Sequence, residues 1–187
     1  MNMTLVTLLM VNFAYIGILP RIFFKKDGRY NLMWWMTAGP LFLNAILIFL
    51  QQIGVMNVET YWSLPLAGEI AVVILSSFSI GMISYTMGTH RIPLALWHQN
   101  NDAPANIVTW GAYKYIRHPF YSSFITAQLA SIIFMPHWST FAGMVWCVVI
   151  LNRTAAREEN NLSNSSFGPE YQSYMKTTGR FFPKIGA

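Results

Sequence analysis

The chain has 187 residues, 54% of them hydrophobic and 16% aromatic, and only 10% are charged, whereas an ordinary soluble domain carries roughly 25% charge. That shortfall excludes a disordered chain and argues against a water-soluble globule. Twelve Lys and Arg against seven Asp and Glu give a formal charge of +5, and the length fits a single domain, 1–187.

The uncharged residues come in long blocks, and crossing a bilayer core takes roughly 20 apolar residues of helix. The first block ends at Pro20-Arg21, before the cluster Lys25, Lys26, Asp27, Gly28, Arg29, and predicts a span over 3–24. MWWMTAGPLFLNAILIFL predicts a second over 33–53. Pro40 is expected to kink that helix rather than end it, because neighbouring helices can satisfy a freed carbonyl in lipid. IAVVILSSFSIGMISYTM follows Glu69 and predicts a third over 67–88, closing at Gly88-Thr89-His90-Arg91. Between His118 and Asn152 there is no Lys, Arg, Asp or Glu. That run suits two short spans, 119–135 and 138–157, with a turn near Met135-Pro136-His137-Trp138. Cys147, the single cysteine, falls in this run and reads as a buried thiol. The expected fold is an all-α, multi-pass transmembrane bundle of about five spans, with a C-terminal segment over 158–187.

Lys and Arg favour the cytoplasmic side of short loops. With five spans, Arg21 to Arg29, then Arg91, Lys114 and Arg117, then Arg153 and the basic residues beyond it all fall on one side. The other side holds the N-terminus, QQIGVMNVETYWSLP and the Pro136 turn, which contain no Lys or Arg. The N-terminus is therefore expected outside and the C-terminus in the cytoplasm. Orientation and contact with anionic lipid explain the basic excess, so no nucleic acid is expected. The first block lacks a basic n-region and a small-x-small cleavage site, so it reads as a retained helix rather than a signal peptide. The Asn-x-Ser/Thr triplets at Asn152, Asn161 and Asn164 fall on the cytoplasmic side, out of reach of glycosylation.

Two polar stretches exceed what short connectors need, 90–118 and 153–187, and both lie on the predicted cytoplasmic face, where they can form a cap over the bundle. Each candidate has a plainer reading. Arg117-His118 before Pro119 can be an interfacial anchor at a helix start. Glu158 and Glu159 can be a solvated helix end, although acids at a helix C-terminus oppose the macrodipole, and that placement hints at a ligand. Arg153 and Arg157, one turn apart, can snorkel to phosphates. Trp34, Trp35, Trp62 and Trp138 read as interfacial belt residues. His90 and His98 have no carboxylate or thiolate partner at a familiar spacing, so no metal site is expected.

The stretch IVTWGAYKYIRHPFYSSF, then REENNL after a hairpin, then FGPEYQSYMKTTGRFFP, resembles the isoprenylcysteine carboxyl methyltransferase family and its phospholipid methyltransferase relatives. The pattern falls on Ile107, Val108, Gly111 and Tyr113; on Arg117, His118, Pro119 and Tyr121; on Glu158 and Glu159; on Phe167, Gly168 and Tyr171; and on Arg180 and Pro183. The resemblance covers roughly the C-terminal half. It implies an integral-membrane methyltransferase that uses S-adenosylmethionine on lipid-like acceptors, with a cofactor-binding cap built from these elements. In chemical terms, Glu159 and Glu158 can accept hydrogen bonds from a ribose or amine, Arg117 and His118 can bind a carboxylate, and Ile107, Val108, Tyr113 and Tyr121 can wall an adenine beside Gly111.

Arg153 is the candidate to position an acceptor carboxylate at the inner membrane boundary. His90 or His98 is the candidate base if the acceptor is a phenol. Partners are then a lipophilic small molecule or a prenylated substrate and membrane lipid; the oligomeric state is left open. Three departures stand out. Ser123 replaces the usual Gly two places after the Arg-His-Pro-x-Tyr motif, which questions close helix packing there. Arg153 and Arg157 leave open which one meets substrate. THRIPLALWHQNNDAPAN is not expected to be a general family element and reads as a substrate-selecting segment or an interfacial helix. The alternatives are a small transporter component, which requires ionisable groups in mid-span, and a non-catalytic cofactor- or lipid-binding protein.

Overall fold

Helix fills the charge gaps. The structure, a computed structural model, describes residues 2–18, 29–30, 32–37, 39–89 and 107–184. Helix α1 (Met3–Ile18) is followed by α2 (Leu32–Thr37), a 3-10 turn at Gly39–Phe42, α3 (Leu43–Gln52) and α4 (Leu66–Thr89). A second 3-10 turn, Gly111–Lys114, leads into α5 (Pro119–Phe134), α6 (Trp138–Ser163) and α7 (Gly168–Thr177). No strand occurs among the described residues; an isolated parallel bridge joins Ile116 and Gly179. Helices α4 and α6 are long and apolar enough to cross a membrane, while α1, α5 and the stretch Gly39–Gln52 are shorter apolar helices.

Two expectations about helix limits are corrected. Pro40 does not merely kink the second apolar block: the helix gives way there to the 3-10 turn and restarts at Leu43. Proline has no N–H to continue the ladder, and its ring collides with the carbonyl four residues back. Helix α6 runs on to Ser163, so Glu158 and Glu159 sit in its interior, more than a turn from its end. The macrodipole argument for them as helix-terminal acids therefore does not apply.

Helix α5 is the axis of the bundle. Of its sixteen residues only Leu129 is exposed, and α4 lies along it as its most extensive partner. A helix covered on all sides has no polar face to present, which is why this one is apolar or small all round. One core cluster joins Phe13, Leu41, Ile83, Phe124, Cys147 and Leu151; a second, containing Leu9, Ile48, Val72, Ala130 and Phe134, fills the other end of the bundle. The outer faces of α4 and α6 expose Ile70, Ile74, Phe78, Val145 and Trp146. Contiguous apolar surface of that kind marks contact with lipid or protein rather than water.

Between helices in lipid there is little hydrophobic drive, and buried polar contacts supply part of the adhesion. The Asn44 amide donates to Gln128 Oε1 (2.6 Å) and to the Thr140 carbonyl (3.3 Å), and Gln128 Nε2 donates to the Leu41 carbonyl (2.5 Å), linking α3, α5, α6 and the 3-10 turn. A side chain at Gly143 would collide with the Asn44 amide at 2.7 Å, so the missing Cβ seats this lock. Ser79 Oγ contacts Asn12 Oδ1 and the Ser123 carbonyl, both at 2.9 Å. Ser123 is fully buried, and its hydroxyl donates to the Phe120 carbonyl at 2.6 Å. The doubt about close packing at Ser123 is thus resolved: a serine whose hydroxyl turns back on its own helix lets α4 reach the α5 backbone. Gln128→Leu would remove the bond to the Leu41 carbonyl and leave the Asn44 amide only the longer contact to Thr140. The expected loss is about 1–3 kcal/mol of stability, read as a lower thermal midpoint in detergent with helix content retained.

Candidate functional site

The site forms where the chain turns into α5. Gly111 opens the 3-10 turn at φ +61, a left-handed conformation that side chains resist. A Cβ there would also overlap Thr89 at 2.1 Å, and the Thr89 hydroxyl accepts from the Ala112 N–H at 3.3 Å. This glycine therefore closes the end of α4 onto the turn. Val108 and Ala112 are buried beside it, and Ile107 and Tyr113 are half-buried. Pro119 takes the first position of α5, where its missing N–H costs nothing.

Beyond α7 the chain comes back over this turn. Arg117 N–H donates to the Gly179 carbonyl (2.8 Å), His118 N–H to the Arg180 carbonyl (3.0 Å), and Ser122 Oγ to the Phe181 carbonyl (2.7 Å). Only glycine fits at 179, since a Cβ would lie 1.8 Å from the Phe182 carbonyl oxygen. The strap delivers Arg180 to the polar stretch of α6 that starts at Asn152.

Glu159 is the common acceptor. Arg117 reaches its Oε1 through Nε and Nη2, both at 2.9 Å, and His118 Nε2 reaches the same oxygen at 3.2 Å. Arg180 Nε lies 3.1 and 3.2 Å from the two oxygens, with Nη2 on Oε2 and Nη1 on Asn152 Oδ1. Arg117 Nη1 also donates to the Thr178 and Met175 carbonyls, fixing the guanidinium to the end of α7. Burial alone would push the Glu159 carboxyl up, but the bonds from His118, Arg180 and Arg117 bring it down to about 2.

Glu158 has different company. It is buried, accepts from the Tyr121 hydroxyl at 2.7 Å, and has His118 Nδ1 3.5 Å from its other oxygen. Burial pushes it to about 8, against the Tyr121 bond, with the neighbouring Glu159 charge adding to the rise. His118 lies flat on Tyr121, ring centroids 5.3 Å apart and planes 3° apart, with Phe181 on its edge. Burial lowers the His118 pKa despite its bond to Glu159, so the ring is neutral at pH 7. An ionised Glu159 can only accept, which assigns the proton to Nε2 and leaves the Nδ1 lone pair towards Glu158. Burial and the Glu158 charge raise Tyr113 to about 12, so its hydroxyl stays protonated.

Of the residues expected at the site, Tyr113, Arg117, His118, Tyr121, Glu158 and Glu159 come together, with Gly111 and Val108 shaping the turn beside them. Arg153 does not join them. It is exposed on α6, while Leu151, Thr154, Ala155, Glu158 and Glu159 hold the buried face. His90 and His98 lie outside the described residues. Arg180 was visible only as part of the C-terminal Arg-x-x-Pro pattern; its role as a partner of Glu159 depends on the strap.

The order of these elements matches a known pattern. Residues 89–164 match the model of the isoprenylcysteine carboxyl methyltransferase (ICMT) family. The match bears out the resemblance read from the motifs and supports a membrane methyltransferase. It takes in THRIPLALWHQNNDAPAN, which was expected to lie outside the family pattern, as well as the Arg-His-Pro turn and the Glu-Glu pair, and ends before α7 and the strap. No curated protein sequence matches the chain.

The two carboxyls imply opposite pH responses. Glu159, lowered from its ordinary 4.5, contributes stability that is present above that value and lost as pH falls towards 2. Glu158, raised from 4.5, contributes stability that is present below 4.5 and lost as pH rises through about 8. Between pH 5 and 8.5 the wild-type thermal midpoint in detergent should therefore decline more steeply than that of Glu158→Gln, which has no such proton to lose.

Proposed function

We propose that the protein is an S-adenosylmethionine-dependent methyltransferase of the membrane, transferring a methyl group to a lipophilic acceptor. The acceptor is the carboxylate of a prenylcysteine-like compound or the hydroxyl of a phenolic, amphiphilic lipid. The observation that carries this reading is the assembly of half-buried Arg117 with buried His118, Glu158 and Glu159 within the family match.

The donor set suits the cofactor. Glu158 is a buried carboxyl with no Lys or Arg on it among the described residues, and so offers a place for a cation. The guanidiniums of Arg117 and Arg180 outnumber the single ionised carboxylate they share, which favours a ligand carboxylate nearby. Val108 and Ala112 supply apolar wall. When bound, S-adenosylmethionine provides a methyl carbon on a positively charged sulfur, open to in-line displacement by oxygen, sulfur or nitrogen. The chain's part is chiefly alignment, and holding two reactants at near-attack distance is worth about 7–11 kcal/mol. Buried between α5, α6, α7 and the strap, His118 and Glu158 exclude water from one side of the site.

Arg153 retains its proposed part, positioning the acceptor carboxylate from the exposed face of α6. Its guanidinium has no ion pair among the described residues and can meet a headgroup arriving along the helix. A carboxylate acceptor needs only such a cation; a phenol needs a base, for which His90 and His98 stay the candidates. In this reading the bundle crosses the membrane five times, with the N-terminus outside and the site in the cytoplasm, as the one-sided Lys and Arg predict. The exposed apolar faces of α4 and α6 support contact with lipid.

Titration calorimetry of the detergent-purified protein should show saturable S-adenosylmethionine binding; a folded sample that binds none would refute the cofactor assignment. Arg153→Ala should abolish turnover of an acceptor from a lipid extract with cofactor binding intact, and unchanged turnover would remove Arg153 from the mechanism.

A further inference from the structure

Adjacent on one helix and both buried, Glu158 and Glu159 have surroundings of opposite character. Every described cation that enters the cluster ends on Glu159: Arg117 from the turn before α5 and Arg180 from the strap, together with the Nε2 donor of His118. Around Glu158 stand the Tyr121 hydroxyl and His118 Nδ1 from the start of α5, Tyr113 from the 3-10 turn, Tyr171 from α7 and the Glu159 charge on its own helix. A buried carboxylate with one hydroxyl donor and an anionic neighbour is a costly anion, so the group holds its proton. A cation brought within a few ångströms reverses that preference.

The sulfonium of S-adenosylmethionine is a cation that methyl transfer removes, because the sulfur becomes a neutral thioether. Cofactor and spent product are close in shape and differ by one positive charge. On the reading that this site binds S-adenosylmethionine, we propose that Glu158 senses that charge. It is a neutral acid in the free protein, releases its proton to solvent when the cationic cofactor binds, and takes a proton back once the sulfonium is gone. His118 Nδ1, 3.5 Å from the other Glu158 oxygen, is the nitrogen acceptor placed beside that proton. Glu158 is then a specificity-determining ligand that separates cofactor from product by charge and helps the product leave. Glu159, saturated by cations, cannot take this part.

The test counts protons rather than turnover. Wild-type protein in detergent is titrated near pH 6.5 with S-adenosylmethionine and with S-adenosylhomocysteine, each in two buffers of contrasting ionisation enthalpy. At that pH the α-amino groups of both ligands are protonated, an α-amino pKa being about 8, so their contributions cancel. S-adenosylmethionine binding should release about one proton and S-adenosylhomocysteine clearly fewer, with cofactor affinity rising by up to tenfold per pH unit, roughly, while Glu158 is protonated in the free protein. In Glu158→Gln, which keeps an acceptor for Tyr121, both ligands should bind with equal proton counts, and the preference for the cofactor should shrink. Equal proton release by the two ligands in the wild type would overturn the inference, and that comparison stands even if the variant does not fold. A folded protein that binds neither ligand would instead overturn the cofactor reading on which the inference rests.

Discussion

A single buried carboxylate, Glu159, organises the end of the bundle that carries the candidate site. Burying a charge is tolerable only when partners and hydrogen bonds replace water, and here the partners come from three places in the chain. Arg117 and His118 precede α5, and Arg180 follows α7. Meeting that demand holds the end of α7 against Arg117 and pulls the strap across the start of α5. It also consumes the local cations and leaves Glu158 in a dry setting of hydroxyls and imidazole. Two neighbouring residues of one chemical type thereby acquire different protonation behaviour without any difference in sequence context.

The rest of the bundle positions this assembly. Helix α5 is enclosed by α1, α3, α4 and α6, so His118 and Tyr121 at its start move only if the whole core moves. The lock among Asn44, Gln128 and Thr140 fixes α3 and α6 relative to that axis, and α6 in turn carries both acids. Buried amides perform a task that apolar packing alone performs poorly in lipid, since an isolated helix loses little by leaving apolar neighbours for acyl chains.

Much of this was legible from where charges are missing. The gaps located the apolar helices, and the paired acids and the Arg-His-Pro turn announced themselves as expensive residues in a charge-poor chain. What failed was local. Pro40 was expected to bend a continuous helix because neighbouring helices can satisfy a freed carbonyl in lipid, yet loss of the N–H together with the ring's clash divided it. The end of α6 was placed at 157, just before the paired acids, although polarity marks the end of an apolar span and not the end of a helix. Arg180 could be named as part of a pattern, but its partner lies 21 residues away in sequence and across a fold-back that periodicity does not encode. Arg153 was read as an acceptor-positioning residue; the rotation of α6 that buries Glu158 and Glu159 leaves it exposed.

The strap also sets an order of assembly. Arg117 and His118 pair with the backbone at 179 and 180, more than sixty residues later in the chain, so their backbone N–H groups wait unpartnered while α5, α6 and α7 are made. During synthesis at a membrane, the bundle can insert and pack with Glu159 only partly neutralised. The site closes when residue 180 arrives, so a nascent chain cut short of the strap would hold its helices together yet lack a finished centre.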